Sequence, residues 1–182
     1  MDSAHDPLKH ATIMLVSGEL DKALVAFEIA NGMAAMGAKV TMWFALYGAN
    51  CLKKPVGFVS LRKWFPGKCK ESPGRKTSTD IPLQGLFRFL NRDGAAHLPL
   101  SQLNLFGMGP MVLNRIMRKK GMARLDNMIQ DAADLGIRFC ICQVCVDALA
   151  IDVDEDLVIK AEVMGVSSYA LQVKAAHYNA VI

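Results

Sequence analysis

Ala11-Thr12-Ile13-Met14-Leu15-Val16, closed by Ser17-Gly18, is a short uninterrupted apolar run ending in a turn, the pattern of a strand buried on both faces. Downstream, Leu24, Phe27, Ile29, Ala30, Met33 and Ala34 recur close to a helical period, and Gly37 follows where a helix C-terminus favours glycine. Val40-Thr41-Met42-Trp43-Phe44-Ala45-Leu46 is a second apolar run. Strand, helix and strand in so short a span make a β-helix-β unit, which implies parallel pairing and a right-handed crossover.

The rhythm returns in the second half. Residues 111–120 (MVLNRIMRKK) read as a helix with Pro110 at its first position and a basic last turn before Gly121. A further helix is expected over 125–135, closed by Gly136, then a third strand over 137–142. Residues 154–159 suggest a short helix, 161–164 a strand, 166–176 a helix and 178–182 the last strand. Five buried strands alternating with helices predict an α/β fold: a flavodoxin-like, doubly wound sandwich of about five mostly parallel strands with helices on both faces.

Residues 53–104 depart from this pattern. Ten Lys/Arg against Glu71, Asp80 and Asp93 give the stretch from Lys53 to Asp93 a charge of +7, while the whole chain carries +4. Five of the seven prolines (55, 66, 73, 82 and 99) fall between 53 and 105. We read 53–104 as a basic, Pro-containing insertion in a single domain spanning 1–182, with a loop over 68–80 and a short apolar helix over 83–90. The charge excess sits in one loop-like region rather than on a helix face with interleaved aromatics, which argues against nucleic-acid binding.

With 182 residues, 52% of them apolar and 21% charged, the chain is long enough and hydrophobic enough for a sizeable core. No stretch reaches the roughly 18 to 20 unbroken apolar residues of a spanning helix. The first residues lack the basic and apolar regions of a secretory signal, so a cytoplasmic protein without a transmembrane segment is expected. Five cysteines in such a chain argue against a disulfide scaffold.

Cys51 and Cys69 are isolated, whereas Cys140, Cys142 and Cys145 cluster within six residues. Cys140 and Cys142 share one face of a strand. Cys142 closes that strand, at the sheet edge where open α/β folds bind ligands. A thiol there can face the start of the following helix, whose unpaired N–H groups favour a thiolate. Cys140 reads as a small buried hydrophobe. Cys142-Gln143-Val144-Cys145 is also a C-x-x-C, compatible with a dithiol redox pair. A zinc site would need a second pair, which Cys51, Cys69 and four scattered histidines do not supply, and no cofactor is called for.

Weaker candidates are Ser17 and Gly18, which could cap the first helix or line the same crevice, and Gly107 and Gly109, which precede a helix and could hold an anion. Arg115, Arg118, Lys119, Lys120 and Arg124 read as a solvated face, and His177 as structural.

Residues 17–23 (SGELDKA) and 29–37 (IANGMAAMG) resemble the opening of the DsrE/DsrF-like family, more specifically its DsrE-related sulfurtransferase or peroxiredoxin-like branch. The similarity resumes at 107–111 (GMGPM), 117–120 (MRKK) and Leu125, then runs through 139–142 (FCIC) and 146–151 (VDALAI) to Gly165-Val166. It covers roughly 11–52 and 105–182.

The resemblance implies a flavodoxin-like sandwich that forms homo-oligomers, frequently trimers or hexamers, and a role in sulfur trafficking. One cysteine, matching Cys142, would accept sulfane sulfur as a persulfide or thiosulfonate from a donor and pass it to an acceptor. Donors and acceptors would be proteins or small sulfane-sulfur compounds. The sequence departs from this branch at Cys145, where a non-cysteine is common, which leaves open whether Cys142 works alone or with Cys145 as a resolving thiol. The alternatives are a dithiol redox protein using Cys142 and Cys145, and a non-catalytic assembly subunit.

Overall fold

The computed structural model describes residues 10–54, 94–95, 98–104, 108–149 and 151–182. The expected loop at 68–80, the apolar helix at 83–90, Cys69 and Gly107 lie outside the described residues.

Five strands form one sheet: β1 (His10–Leu15), β2 (Lys39–Phe44), β3 (Arg138–Cys142), β4 (Glu162–Met164) and β5 (Tyr178–Val181). Their spatial order is β4-β3-β2-β1-β5, and every neighbouring pair is parallel. Helices α1 (Leu20–Ala35), α2 (Met108–Lys119), α3 (Leu125–Asp134), α4 (Gln143–Leu149) and α5 (Val166–Ala175) connect them, with a 3-10 turn over Leu46–Leu52 after β2. The chain steps outward from β1 to β4, then returns behind β1 to place β5 on the opposite edge. Because crossovers are right-handed, the outward steps and the return lie on opposite faces. The α/β class and helices on both faces are as predicted from the sequence.

The two faces differ greatly. Odd-numbered residues of β1 and β3 (Ala11, Ile13, Leu15, Phe139 and Ile141) join even-numbered residues of β2 (Val40, Met42 and Phe44) on one side. Against them pack Leu20, Ala23, Phe27 and Ala30 of α1 and Leu125, Met128, Ile129 and Ala132 of α3. Phe27, Phe44 and Phe139 form a ring cluster with centroids 5.9–6.4 Å apart at its centre. Fully burying one such side chain stabilises the fold by roughly 1.5–3 kcal/mol, so this face carries most of the core energy.

The opposite face presents Thr12, Thr41, Trp43, Cys140 and Cys142, all buried, and α5 packs on it. Trp43 Nε1 donates to Gln172 Oε1 at 2.7 Å, and the indole meets the Tyr169 ring edge-on at 5.3 Å. No α5 residue is buried, and Val166, Leu171 and Val181 remain 60–70% exposed.

Local chemistry explains the boundaries. Gly37, Gly121 and Gly136 take φ of +89°, +69° and +74°, and each ends a helix as its position in the sequence predicts. The helix predicted from 111 begins at Met108, so Pro110 is its third residue rather than its first. Pro110 still lies in the first turn, where its missing N–H has no intrahelical acceptor to lose. The helix expected over 154–159 does not form. Asp152 Oδ1 accepts from the amides of Asp154 and Glu155 at 3.1 Å, a capping turn from which no helix continues. Leu157 instead bridges Lys53, and the Val158 amide donates to the Leu52 carbonyl at 2.8 Å.

Candidate functional site

The carboxyl ends of β1, β2 and β3 lie side by side, and the segments leaving them meet. After β1, residues 16–19 turn into α1. After β2, the chain enters the 3-10 turn, whose Gly48 amide donates to the Val16 carbonyl at 3.0 Å. After β3, Cys142 leads directly into α4, which carries Cys145 one turn on.

Cys142 is 7% exposed and Cys145 4%. Alternation along β3 puts Cys140 and Cys142 on the face shared with Trp43, as the sequence spacing predicts. Cys142 is the residue before the first of α4 and Cys145 is its third, so the two thiols are neighbours at this end of the sheet, close enough for Cys142 to influence the ionisation of Cys145. Leu46 supplies a direct contact. Its backbone amide donates to Cys145 Sγ at 3.0 Å from a residue with φ +47°. Left-handed backbone is unfavourable for a leucine, roughly by 1–2 kcal/mol. The turn is held there by Ala45 N–H to Leu15 O and Gly48 N–H to Val16 O, each at 3.0 Å.

The thiols are not equivalent. Burial, reinforced by the neighbouring Cys142, pushes Cys145 above the ordinary thiol range against the opposing pull of the Leu46 amide. Cys145 is therefore a protonated thiol near neutral pH. Burial pushes Cys140 up to about 11, against the pull of Arg138, and its Sγ lies 3.6 Å from Met164 Sδ. Burial also pushes Cys51 far up, and it donates to the Gly48 carbonyl at 3.0 Å. Cys51 and Cys140 thus belong to the packed interior, as anticipated for Cys140.

Ser17 and Gly18 do sit at this end of the sheet. Ser17 Oγ donates to Glu19 Oε2 at 2.8 Å and accepts from the Glu19 amide at 3.3 Å, while Glu19 itself holds the N-cap position of α1. The hydrogen bond from Lys22, joined by that from Ser17, holds the Glu19 carboxyl below its usual range. The first α1 amide, from Leu20, is taken by the Pro99 carbonyl at 2.7 Å. Gly18 packs so close to Tyr47 that an added Cβ would lie 2.9 Å from the tyrosine Cβ.

Gly109 lies against residues 100–104: its amide donates to the Asn104 carbonyl at 3.2 Å, and a Cβ would sit 2.1 Å from the Leu103 carbonyl oxygen. Arg115, Arg118, Lys119 and Lys120 are exposed, and Arg124 pairs with Asp126 at 2.9 Å. A shallow cleft bounded by Lys53, Asp126, Ile129, Gln130 and Val158 includes no cysteine. Among the described residues, no three His, Cys, Asp or Glu gather as a metal site would require, and no helix is long and apolar enough to cross a membrane. Leu46 was not legible in the sequence, since its part is played by a backbone amide and an apolar side chain gives no sign of it.

The chain is similar to several known proteins. YrkE of Bacillus subtilis is 29% identical over 171 residues, covering 94% of this chain and 95% of that protein. The sulfur carrier protein DsrE2 of Allochromatium vinosum is 24% identical over 152 residues, covering 76% of this chain and 77% of its own. Among solved structures, the YchN protein of E. coli aligns over 96% of this chain and 99% of its own, with a TM-score of 0.48 and 8% identity. The sequence profile of the DsrE/DsrF/DrsH-like family matches residues 7–181, and the chain belongs to that family.

Proposed function

We propose that this protein is a sulfur carrier or sulfurtransferase that holds sulfane sulfur on Cys142 as a persulfide or thiosulfonate. The observation that carries the reading is the position of Cys142: last residue of β3, at the carboxyl edge of a parallel sheet, with Cys145 three residues on in the helix that follows directly. The Allochromatium relative's name, sulfur carrier protein, supports the same chemistry. A Cys142 thiolate would attack a sulfane-sulfur donor, displace its leaving group, and later yield the terminal sulfur to an acceptor thiolate. That Cys145 stays protonated near neutral pH favours Cys142 as the attacking sulfur, because a neighbouring S–H can donate to a thiolate. The chemistry uses the two side chains and needs no cofactor.

We read the chain as one cytoplasmic domain with the basic segment at 53–104 as an insertion, acting as a homo-oligomer, a trimer or hexamer. The exposed apolar side chains of Val166 and Leu171 on α5 and of Val181 on β5 support the oligomer.

Reduced protein incubated with polysulfide or tetrathionate should gain sulfur or thiosulfonate in its intact mass, and Cys142→Ser should not. Loading that survives in Cys142→Ser overturns the assignment. The proximity of Cys142 and Cys145 also favours a second reading, a dithiol redox protein, which predicts loss of two hydrogens with no sulfur gained at any time.

A further inference from the structure

We infer that sulfur carried on Cys142 leaves by internal displacement: Cys145 Sγ attacks Cys142 Sγ, a disulfide closes between them, and hydrosulfide departs while the Leu46 amide stabilises the charge developing on Cys145. This deepens the carrier reading and rests on it. It makes Cys145 the nucleophile that expels the sulfur, and the product free hydrosulfide.

Geometry singles out Cys145. It is the third residue of the helix that leaves β3 directly after Cys142, so the two thiols sit three residues apart across one strand-to-helix junction, and the Leu46 amide fixes the Cys145 sulfur there. The other described thiols are turned elsewhere. Cys140 lies two residues back along β3 with its sulfur against Met164, and Cys51 donates to the Gly48 carbonyl. The Leu46 N–H, 3.0 Å from Cys145 Sγ, is a fixed donor held by a left-handed residue, so no reorganisation is needed when charge appears there.

Atoms and electrons balance. A persulfide anion would have to expel sulfide dianion, a very poor leaving group, so its terminal sulfur must first gain a proton. Cys145 is placed to supply it, and burial keeps that proton on Cys145 until the persulfide forms. The resulting Cys145 thiolate displaces hydrosulfide: the Cys142–sulfane bond breaks with its electron pair on the departing sulfur, and one disulfide forms. The sulfane sulfur is reduced by two electrons and the thiol pair is oxidised by two. A dithiol protein or small thiol, as two-electron reductant, then returns the pair to the start.

The test is to load reduced wild type, Cys145→Ser and Cys145→Ala with polysulfide, desalt anaerobically, and follow intact mass and hydrosulfide together. Wild type should lose its added sulfur, become two hydrogens lighter than the reduced protein, and release one hydrosulfide per sulfur lost. Peptide mapping should find Cys142 joined to Cys145. Per loaded sulfur, both variants should release hydrosulfide at least about tenfold more slowly. A wild-type persulfide as long-lived as that of Cys145→Ser, or hydrosulfide released with no disulfide formed, overturns the inference and leaves the carrier reading standing. Failure of wild type and both Cys145 variants alike to gain sulfur overturns the carrier reading, and this inference with it.

Discussion

Gly48→Ala should destabilise the protein far more than a single methyl suggests. Gly48 lies in the 3-10 turn, and a Cβ on it would sit 2.1 Å from the Leu15 carbonyl oxygen and 2.7 Å from its carbon. Ordinary contact is roughly 3.4 Å or more, so the turn or the end of β1 must retreat by about 1 Å. Both partners are backbone, and no flexible side chain can absorb the shift.

Overpacking of this kind costs about 1–3 kcal/mol. Moving the turn also strains the bond from Gly48 N–H to Val16 O, worth about 1 kcal/mol. The sum is roughly 2–4 kcal/mol, read as a lower urea midpoint at unchanged slope. The matching fall in Tm is about 2–4 °C for every kcal/mol in a chain of this size. Gly32→Ala is the internal control. Nothing lies within 4 Å of a Cβ at that helix-interior site, so alanine should stabilise by about 0.5–1 kcal/mol. If Gly48→Ala falls within 0.5 kcal/mol of wild type, the close packing of the turn on β1 is not what the structure indicates.

Two further outcomes follow from the same geometry. Cys140, raised to about 11, keeps its proton in the folded state at a pH where the unfolded chain has lost it. Its contribution is intact below the unfolded thiol pKa near 9 and fades as pH rises toward 11, by about 2–3 kcal/mol in all. Cys140→Ala should flatten that alkaline limb in denaturation curves measured from pH 8 to 11, and an unchanged limb would refute the assignment. Leu46→Gly should hold stability or raise it by up to about 1 kcal/mol, because glycine accepts φ +47° without strain. A loss above 1 kcal/mol in chemical denaturation would show that the leucine side chain, not its backbone, anchors the turn.

Much of the fold was legible because its signals are local. Apolar runs at 11–16, 40–46 and 137–142, helical spacing at 24–34 and glycines at 37, 121 and 136 each act within a few residues, and each marks an element or boundary in the structure. Where tertiary contacts compete, local reading fails. Residues 154–159 have helix-compatible composition, but the turn that Asp152 caps does not continue, and Leu157 bridges Lys53 about a hundred positions away. Strand β2 was expected to reach Leu46 and stops at Phe44, because the chain turns there onto the end of β1.

For the candidate site, sequence by itself determined that Cys140 and Cys142 share a strand face, which follows from the period of a strand, and that Cys142 closes that strand three residues before Cys145. It also showed that three cysteines, not five, are clustered. Only the tertiary structure decided how these thiols differ. Burial raises Cys145 and Cys140, and those depths depend on which elements cover each sulfur. The Leu46 amide reaches Cys145 from 99 residues away because β2 and β3 are neighbours in the sheet, and strand order is a property of the whole chain. The packing of α5 on Trp43 is of the same kind: the last crossover runs back from β4 to the far edge strand β5, and so returns on that face.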